Sequence, residues 1–101
     1  MSNEQKYLNM VGLATRARKV SMGEDQIIKD IKAGRAKLLL LAEDIGYQTH
    51  KKITDKCQHY RVPYRTVVNR DQLSHAIGKF GRVAVAITDE GFAKKISSLL
   101  D

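Results

Sequence analysis

Residues 37–42, Lys37-Leu38-Leu39-Leu40-Leu41-Ala42, decide the fold class of this chain of 101 residues. This run has the length of a β-strand, and its apolar residues are continuous rather than alternating with polar ones. A strand that is apolar at every position is typical of the middle of an α/β sheet, where both faces are buried. The run is far shorter than the about 20 apolar residues that a membrane-spanning helix needs. We therefore expect helices on both faces of the sheet that contains this strand.

The segments on either side of this run alternate between helical and strand patterns. Ser2 and Gln5 resemble a capping box, and apolar residues at helical spacing predict a first helix over residues 4–17. Thr49 is predicted to cap a helix over residues 50–60. The other predicted elements are a strand at 19–22, a helix from Gly23 to Gly34, strands at 64–68 and 82–88, a helix at 71–77 that ends at Gly78, and a last helix capped by Asp89.

The resulting element order, αβαβαβαβα, defines the predicted fold class. Strands that alternate with helices form one sheet that is covered by helices on both faces. The sequence therefore predicts an α/β fold, a three-layer α/β/α sandwich around a central mixed four-stranded sheet. The length fits one domain over residues 1–101, and no internal repeat or low-complexity stretch divides it.

Positive charge is the strongest compositional signal of function. The formal net charge is +7 and the sequence pI is about 9.7. Residues 51–70 hold six Lys or Arg residues against a single acid, Asp55. Such a charge on a small body attracts polyanions, with nucleic acid as the first candidate partner and an anionic membrane surface as the second. A basic protein without a polyanionic partner is the remaining interpretation, because a basic pI alone is a weak signal.

Few residues of the chain favour catalysis. Cys57 is the only cysteine, which excludes an internal disulfide and suits a reducing cytosol. Cys57 and His59 point to different faces of a helix, and one cysteine with three histidines matches no zinc spacing. We therefore expect a protein that is not an enzyme and uses no cofactor, metal or small-molecule substrate. No apolar segment follows a charged N-terminus, so we also expect no secretion signal, no membrane partner and a cytoplasmic location.

Two acids, Glu43 and Asp44, follow the central strand, where α/β proteins often place functional groups. Adjacent residues point apart, so a pair of cooperating carboxylates is not expected. Two interpretations stay open at this stage, a solvated turn in which Asp44 acts as a cap and a role in binding.

The segment Gly23-Glu24-Asp25-Gln26-Ile27-Ile28-Lys29 is the first candidate RNA-binding site. A helix that starts after Gly23 presents unpaired backbone N–H groups and the positive end of its dipole to a phosphate. Gln26 can donate to and accept from a base edge, an ionised Asp25 can only accept, and Lys29 can contact a phosphate or a guanine. An acid in the first turn with a lysine four residues later is also ordinary helix chemistry, so the spacing alone leaves both interpretations open.

The loop Gly78-Lys79-Phe80-Gly81-Arg82 is the second candidate. Its two cations suit phosphates, and Phe80 suits stacking on an exposed base. The alternative is a basic turn with Phe80 folded into the core. Arg70 and Lys37 complete the predicted set of phosphate contacts. Binding by such a set should weaken steeply with salt.

The ordered set of motifs resembles the L7Ae/L30e family of ribosomal proteins. The similarity runs from about Lys19 to Phe92 in matching order and spacing. Residues 11–19 and 88–93 resemble the bacterial YlxQ-type members of this family. The motifs are Gly23-x-Asp25-Gln26-x-x-Lys29, Gly34-x-Ala36-Lys37-Leu38, Ala42-Glu43-Asp44, Val62-Pro63-Tyr64, Gly78 and Val85-Ala86-Ile87.

The resemblance implies an α/β/α sandwich that binds kink-turn RNA or a similar internal loop, and a partner RNA that belongs to or accompanies the ribosome. In the family the first glycine motif contacts tandem sheared G·A pairs, and Gly23, Gln26 and Lys29 match that motif. Arg70 falls where many members carry a basic residue. The loop at 78–82 falls where members hold flipped-out bases.

Three features depart from the family pattern. Asp25 stands where members carry Asn or Lys, which removes a donor and adds negative charge beside the RNA. The loop at 78–83 is about one residue shorter than in many members, and Ser74 replaces a frequent glycine. These departures bear on the preferred RNA more than on the fold. The alternative function is a protein-docking module that offers its basic surface to an acidic protein partner.

Overall fold

The computed structural model describes residues 2–101 and has the predicted element order. The α/β fold class is confirmed, with helices on both faces of a four-stranded sheet. The helices are α1 (Asn3–Arg16), α2 (Glu24–Lys32), α3 (Tyr47–Tyr60), α4 (Arg70–Ile77) and α5 (Glu90–Leu100), and the strands are β1 (Val20–Met22), β2 (Leu38–Leu41), β3 (Tyr64–Thr66) and β4 (Ala84–Ile87).

The strand order β1-β4-β2-β3 brings most of the candidate site residues to one end of the sheet. Strand β4 is antiparallel to β1 and β2, whereas β2 and β3 are parallel, so the sheet is mixed. In register, Met22 lies opposite Val85, and Leu41 lies opposite both Ala84 and Thr66. The ends of β1, β2 and β3 therefore meet the start of β4. This end of the sheet, bounded by Met22, Leu41, Thr66 and Ala84, is named the upper end.

The apolar run of β2 forms the centre of the three layers. Leu38 and Leu40 pack in a cluster with side chains of α1, α4 and α5. Leu39 and Leu41 pack on the opposite face with side chains of α2 and α3. All four leucines are 1% exposed or less. Successive side chains of a strand point to opposite faces of the sheet, and both faces of β2 are covered by helices. Every position of β2 is therefore buried, which explains why all of its residues are apolar.

Local capping explains most helix starts. The Ser2 hydroxyl accepts a hydrogen bond from the Gln5 backbone N–H at 3.2 Å, and Asp89 Oδ2 accepts one from the Phe92 N–H at 2.8 Å. Both predicted caps are confirmed. Helix α4 starts one residue earlier than predicted because Asn69 caps it, accepting from the Gln72 N–H at 2.9 Å.

The predicted start of α3 is wrong. Thr49 lies inside the helix, which begins at Tyr47 after Gly46. The Gly46 carbonyl already accepts a hydrogen bond from the His50 backbone N–H at 2.9 Å, so the first turn forms before Thr49. Among residues 2–101 no side chain caps this helix, so its start carries no capping signal in the sequence.

Cys57 lies in the core between the sheet and the layer of α2 and α3, with no exposed surface. Burial raises the pKa of its thiol to about 11. A thiol that stays protonated at neutral pH is a weak nucleophile, so Cys57 serves as a small core residue. None of the helices formed by residues 2–101 combines the length and the apolar character that crossing a bilayer requires.

Candidate nucleic-acid interface

The start of α2 lies at the upper end of the sheet, directly after β1. Gly23 is its N-cap, with φ 86° and ψ 136°, a backbone conformation that favours glycine. In the described part of the chain no side chain caps this helix start, so its first backbone N–H groups have no side-chain acceptor. This arrangement suits an anion such as a phosphate.

Asp25 and Lys29 are both exposed on the first turns of α2. Within residues 2–101 neither forms an ion pair, although four residues separate them. The ordinary helix pair that this spacing allows is therefore not formed. Both charges stay available to a ligand.

Gln26 is oriented by a buried acid. Its Nε2 donates a hydrogen bond to Asp30 Oδ1 at 3.1 Å, and the same oxygen accepts from Arg35 Nε at 2.9 Å. Burial alone would raise the pKa of Asp30, but the polar groups of Ser21, Arg35 and Gln26 outweigh burial and lower this pKa below its ordinary value. The Ser21 hydroxyl lies near the Asp30 carboxylate, but the two groups do not have the geometry of a hydrogen bond. The ionised Asp30 thus holds the Gln26 amide in place.

Glu24 turns away from the start of α2 towards α3. Its Oε2 lies 3.3 Å from Lys52 Nζ. The positive charge of Lys52 offsets the negative charge of Glu24, which would otherwise repel a phosphate at the start of α2.

The loop at 78–82 is tied to α4 by one serine. Ser74 Oγ accepts a hydrogen bond from the Arg82 backbone N–H at 3.0 Å and donates one to the Arg82 carbonyl at 3.3 Å. The Ser74 carbonyl accepts from the Lys79 N–H at 3.1 Å. Because Ser74 takes both backbone groups of Arg82, β4 begins at Ala84 and not at Arg82 as predicted.

Phe80 stands at the tip of this loop and is 102% exposed. The alternative in which Phe80 folds into the core is therefore wrong. An exposed aromatic ring on a loop with neighbouring cations is free to stack on a base.

The Arg82 side chain joins the loop to the start of α2. Its Nη1 lies 3.5 Å from the point that a Cβ on Gly23 would occupy. Its Nε is shielded from solvent and has no hydrogen-bond partner within residues 2–101. A cavity of about 260 Å³ lies between the two segments, lined among others by Gly23, Glu24, Thr49 and Arg82. The two predicted candidate sites are thus one continuous surface.

Arg70 lies at the same end of the sheet and is held by Asp44. Asp44 Oδ1 accepts a hydrogen bond from the Arg70 backbone N–H at 2.8 Å, and the Asp44 carbonyl accepts from Arg70 Nη2 at 2.9 Å. Asp44 thus binds the first backbone N–H of α4, whose N-cap is Asn69, and does not cap α3, the helix that follows it. The Arg70 side chain remains 46% exposed, so its outer face can still meet a phosphate.

Lys37 lies at the opposite end of the sheet. Its backbone N–H donates to the Ile87 carbonyl at 2.7 Å, and its Nζ donates to the Gly34 carbonyl at 2.9 Å. Four residues of β-strand, roughly 13 Å, separate it from the upper end. The structure therefore groups nine of the ten predicted residues at or within about two turns of the upper end and leaves Lys37 out. The nine are Gly23, Glu24, Asp25, Gln26, Lys29, Arg70, Lys79, Phe80 and Arg82.

Sequence reasoning did not foresee the contacts of three residues that shape this surface, although Ser74 was noted as a departure from the family pattern. Asp30 orients Gln26, Lys52 pairs with Glu24, and Ser74 anchors Arg82. The Lys52 and Ser74 contacts join different elements, so no local pattern signals them. Among residues 2–101, no group of three or more His, Cys, Asp or Glu side chains is placed to hold a metal ion.

Fold and surface together define the class of protein: an α/β/α sandwich in which a glycine-capped helix and a basic loop share one end of a mixed sheet. The sequence model of the Ribosomal protein L7Ae/L30e/S12e/Gadd45 family matches residues 5–97, and the chain belongs to this family. The predicted resemblance is confirmed.

Relatives and solved structures agree with this assignment. The chain is 55% identical over 96 residues to "RNA-binding protein YlxQ" of Bacillus subtilis (strain 168), covering 95% of this chain and 96% of the relative. It is 32% identical over 88 residues to "Large ribosomal subunit protein eL8" of Thermoplasma volcanium, covering 86% and 73%. A protein of unknown function from Bacillus halodurans C matches with a TM-score of 0.91 and 43% identity, covering 95% and 97%. The Giardia lamblia 15.5kD RNA binding protein matches in fold alone, with a TM-score of 0.79 and 17% identity, covering 98% and 92%.

Proposed function

We propose that this chain binds structured RNA at the upper end of its sheet and catalyses no reaction, with residues 1–101 acting as one RNA-binding domain. The observation that carries the proposal is the position of Arg82 over Gly23. It joins the glycine-capped start of α2, a guanidinium group and the exposed ring of Phe80 into one surface. Membership of a family that includes a relative named an RNA-binding protein supports the proposal.

The surface divides its work between phosphates and bases. The N–H groups after Gly23 and the side chains of Lys29, Arg70 and Lys79 suit phosphates. The Arg82 guanidinium lies beside Gly23 through its Nη1, and its positive charge suits an RNA phosphate at the start of α2. Phe80 suits stacking on an unpaired base.

Gln26 and Asp25 are the residues proposed to recognise bases. The second amide hydrogen and the carbonyl oxygen of Gln26 are not used by the bond to Asp30, so a base edge can be read with the amide already oriented. Asp25, which forms no ion pair with any of residues 2–101, accepts from a guanine N–H or a cytosine amino group. The proposed target is a kink-turn or a related internal loop with sheared G·A pairs, in RNA associated with the ribosome.

Gel-shift titrations test this proposal with two RNAs, a kink-turn and the same RNA with its G·A pairs replaced by Watson–Crick pairs. The wild-type chain should bind the kink-turn more tightly. Gln26→Ala should lose this preference, whereas Lys29→Ala should weaken binding to both RNAs alike. Equal binding of both RNAs by the wild type would contradict kink-turn recognition, and binding to neither would contradict RNA binding.

A further inference from the structure

Helix α3 carries positive charge that the surface described above does not use. Its solvent-facing side holds Lys51, Lys52 and Lys56, and Arg61 follows its last turn. Asp55 is the only acid of this helix, and it forms an ion pair with Lys51, with 2.8 Å between Asp55 Oδ2 and Lys51 Nζ. Within residues 2–101, Lys56 and Arg61 form no ion pair. An excess of free cations therefore remains on this helix.

Two of these cations, Lys52 and Lys56, form a line along the helix together with His59. Lys52, Lys56 and His59 stand at i, i+4 and i+7, which places them on one side of α3. Ile53 and Cys57 are buried against the sheet, whereas Lys52 and His59 are exposed and Lys56 is partly exposed. We name Lys52, Lys56, His59 and Arg61 the α3 stripe. It extends for roughly 14 Å from Lys52 to Arg61.

The α3 stripe starts at the proposed RNA surface. Lys52 pairs with Glu24 in the first turn of α2, and α2 and α3 pack side by side. Helix α3 follows β2 and therefore begins at the upper end and runs away from it. A nucleic acid held at the upper end that continues along this layer meets the stripe next.

The chemistry of the stripe favours a phosphate backbone over base edges. It offers ammonium, imidazole and guanidinium groups on a rigid helix without glutamine or asparagine among them. Such groups contact phosphates without regard to sequence. We infer that the α3 stripe binds the phosphate backbone of the duplex that flanks the internal loop. This inference rests on the proposed function, because it extends that site.

Two RNAs separate the inference from the proposed function. Both carry the same internal loop; one has the shortest stems that still pair, and the other has each stem extended by about one helical turn. The wild-type chain should bind the extended RNA about tenfold more tightly. Lys56→Gln/Arg61→Gln should bind the short RNA like the wild type but lose this gain. Its slope of log affinity against log salt on the extended RNA should fall by about 1 for each phosphate contact removed.

A matched control removes two exposed cations from the opposite layer, Lys94→Gln/Lys95→Gln on α5. This variant should keep the gain on extension. Circular dichroism should show that both double variants are folded. Loss of the gain in the α5 variant, retention of it in the α3 variant, or no gain in the wild type would overturn the inference. Failure of the wild type to bind either RNA would instead overturn the proposed function.

Discussion

The two halves of the proposed RNA surface are built in different ways. Helix α2 is anchored by Ile27 and Ile31, which are 0% and 1% exposed and pack against the sheet. The loop at 79–81 has no buried side chain, and its end is held through the hydrogen bonds of Ser74. The first half is therefore a rigid platform, whereas the second can adapt its shape to a ligand.

Arg82 is the point where these halves meet. Its backbone belongs to the loop and its guanidinium lies over Gly23 of the platform. A preformed platform lowers the ordering cost of binding, and an adaptable loop allows different unpaired bases to be accommodated. We therefore expect stability to be concentrated in the first half and ligand adaptation in the second.

Ile27→Ala should have the largest effect on stability. Truncating this fully buried side chain should lower the free energy of unfolding by about 2–5 kcal/mol, because it leaves a cavity between α2 and the sheet. Urea unfolding measures the change. Phe80→Ala is the partner variant from the other half. It should leave the free energy of unfolding unchanged while weakening RNA binding about tenfold. Equal destabilisation by the two variants would remove the distinction between platform and loop.

Gly23→Ala should have the next largest effect. At φ 86° the backbone of an alanine is strained, so we expect a loss of about 1–3 kcal/mol in the free energy of unfolding, although its Cβ would make only an ordinary contact of 3.5 Å with Arg82 Nη1. Gly46→Ala is the matched control, since Gly46 is also a helix N-cap but has φ −64° and no atom within 4 Å of the point that a Cβ would occupy. It should change stability by less than about 0.5 kcal/mol. Similar losses in both variants would argue against a special role for the Gly23 backbone.

Ser74→Ala should act on the loop more than on the platform. Losing both side-chain hydrogen bonds to Arg82 should lower stability by about 1–2 kcal/mol and speed amide hydrogen exchange at Arg82. Exchange at Ile27 should stay slow. Ser98→Ala, which removes one exposed hydrogen bond to the Lys95 carbonyl, should leave exchange at Arg82 unaltered. Unchanged exchange at Arg82 in Ser74→Ala would show that the loop is held in another way.

The smallest expected effect is the contribution of Asp30 to the free energy of unfolding, which should depend on pH. Its folded-state pKa lies below the ordinary value of 3.8, so its contribution is present above that pH and is lost as the pH falls through the folded value. Asp30→Asn should therefore be less stable than the wild type at pH 7, and the difference should shrink below about pH 4. Urea unfolding from pH 7 to pH 2 measures it. A difference that stays constant with pH would contradict the assigned role of the ionised carboxylate.

Local signals allowed most of the fold to be predicted. The leucine run of β2 and the caps at Ser2 and Asp89 depend on neighbouring residues in the sequence, and all three were correct. The start of α3 was wrong because Gly46 begins the helix without a capping side chain. Strand β4 begins two residues later than predicted because the backbone N–H and carbonyl of Arg82 form hydrogen bonds with the Ser74 side chain, eight residues earlier in the chain.

The composition of the candidate surface was easier to predict than its geometry. The helix start and the loop were each recognised from residue type, but their joining through Arg82 and Gly23 depends on the strand order. The same strand order places Lys37 at the far end of the sheet, although its residue type fits the predicted set. Contacts between distant segments determine both the joining of Arg82 with Gly23 and the position of Lys37, and no local sequence pattern encodes such contacts.

The start of α2 and the loop at 79–82 are proposed to form one RNA surface. Amide chemical shifts of the ¹⁵N-labelled chain, followed while kink-turn RNA is added, test this joining most directly. We predict that residues 23–26 and 79–82 shift together, at the same RNA concentrations, while Lys37 stays unchanged. Shifts confined to one of the two segments, or centred on Lys37, would contradict a single joined surface.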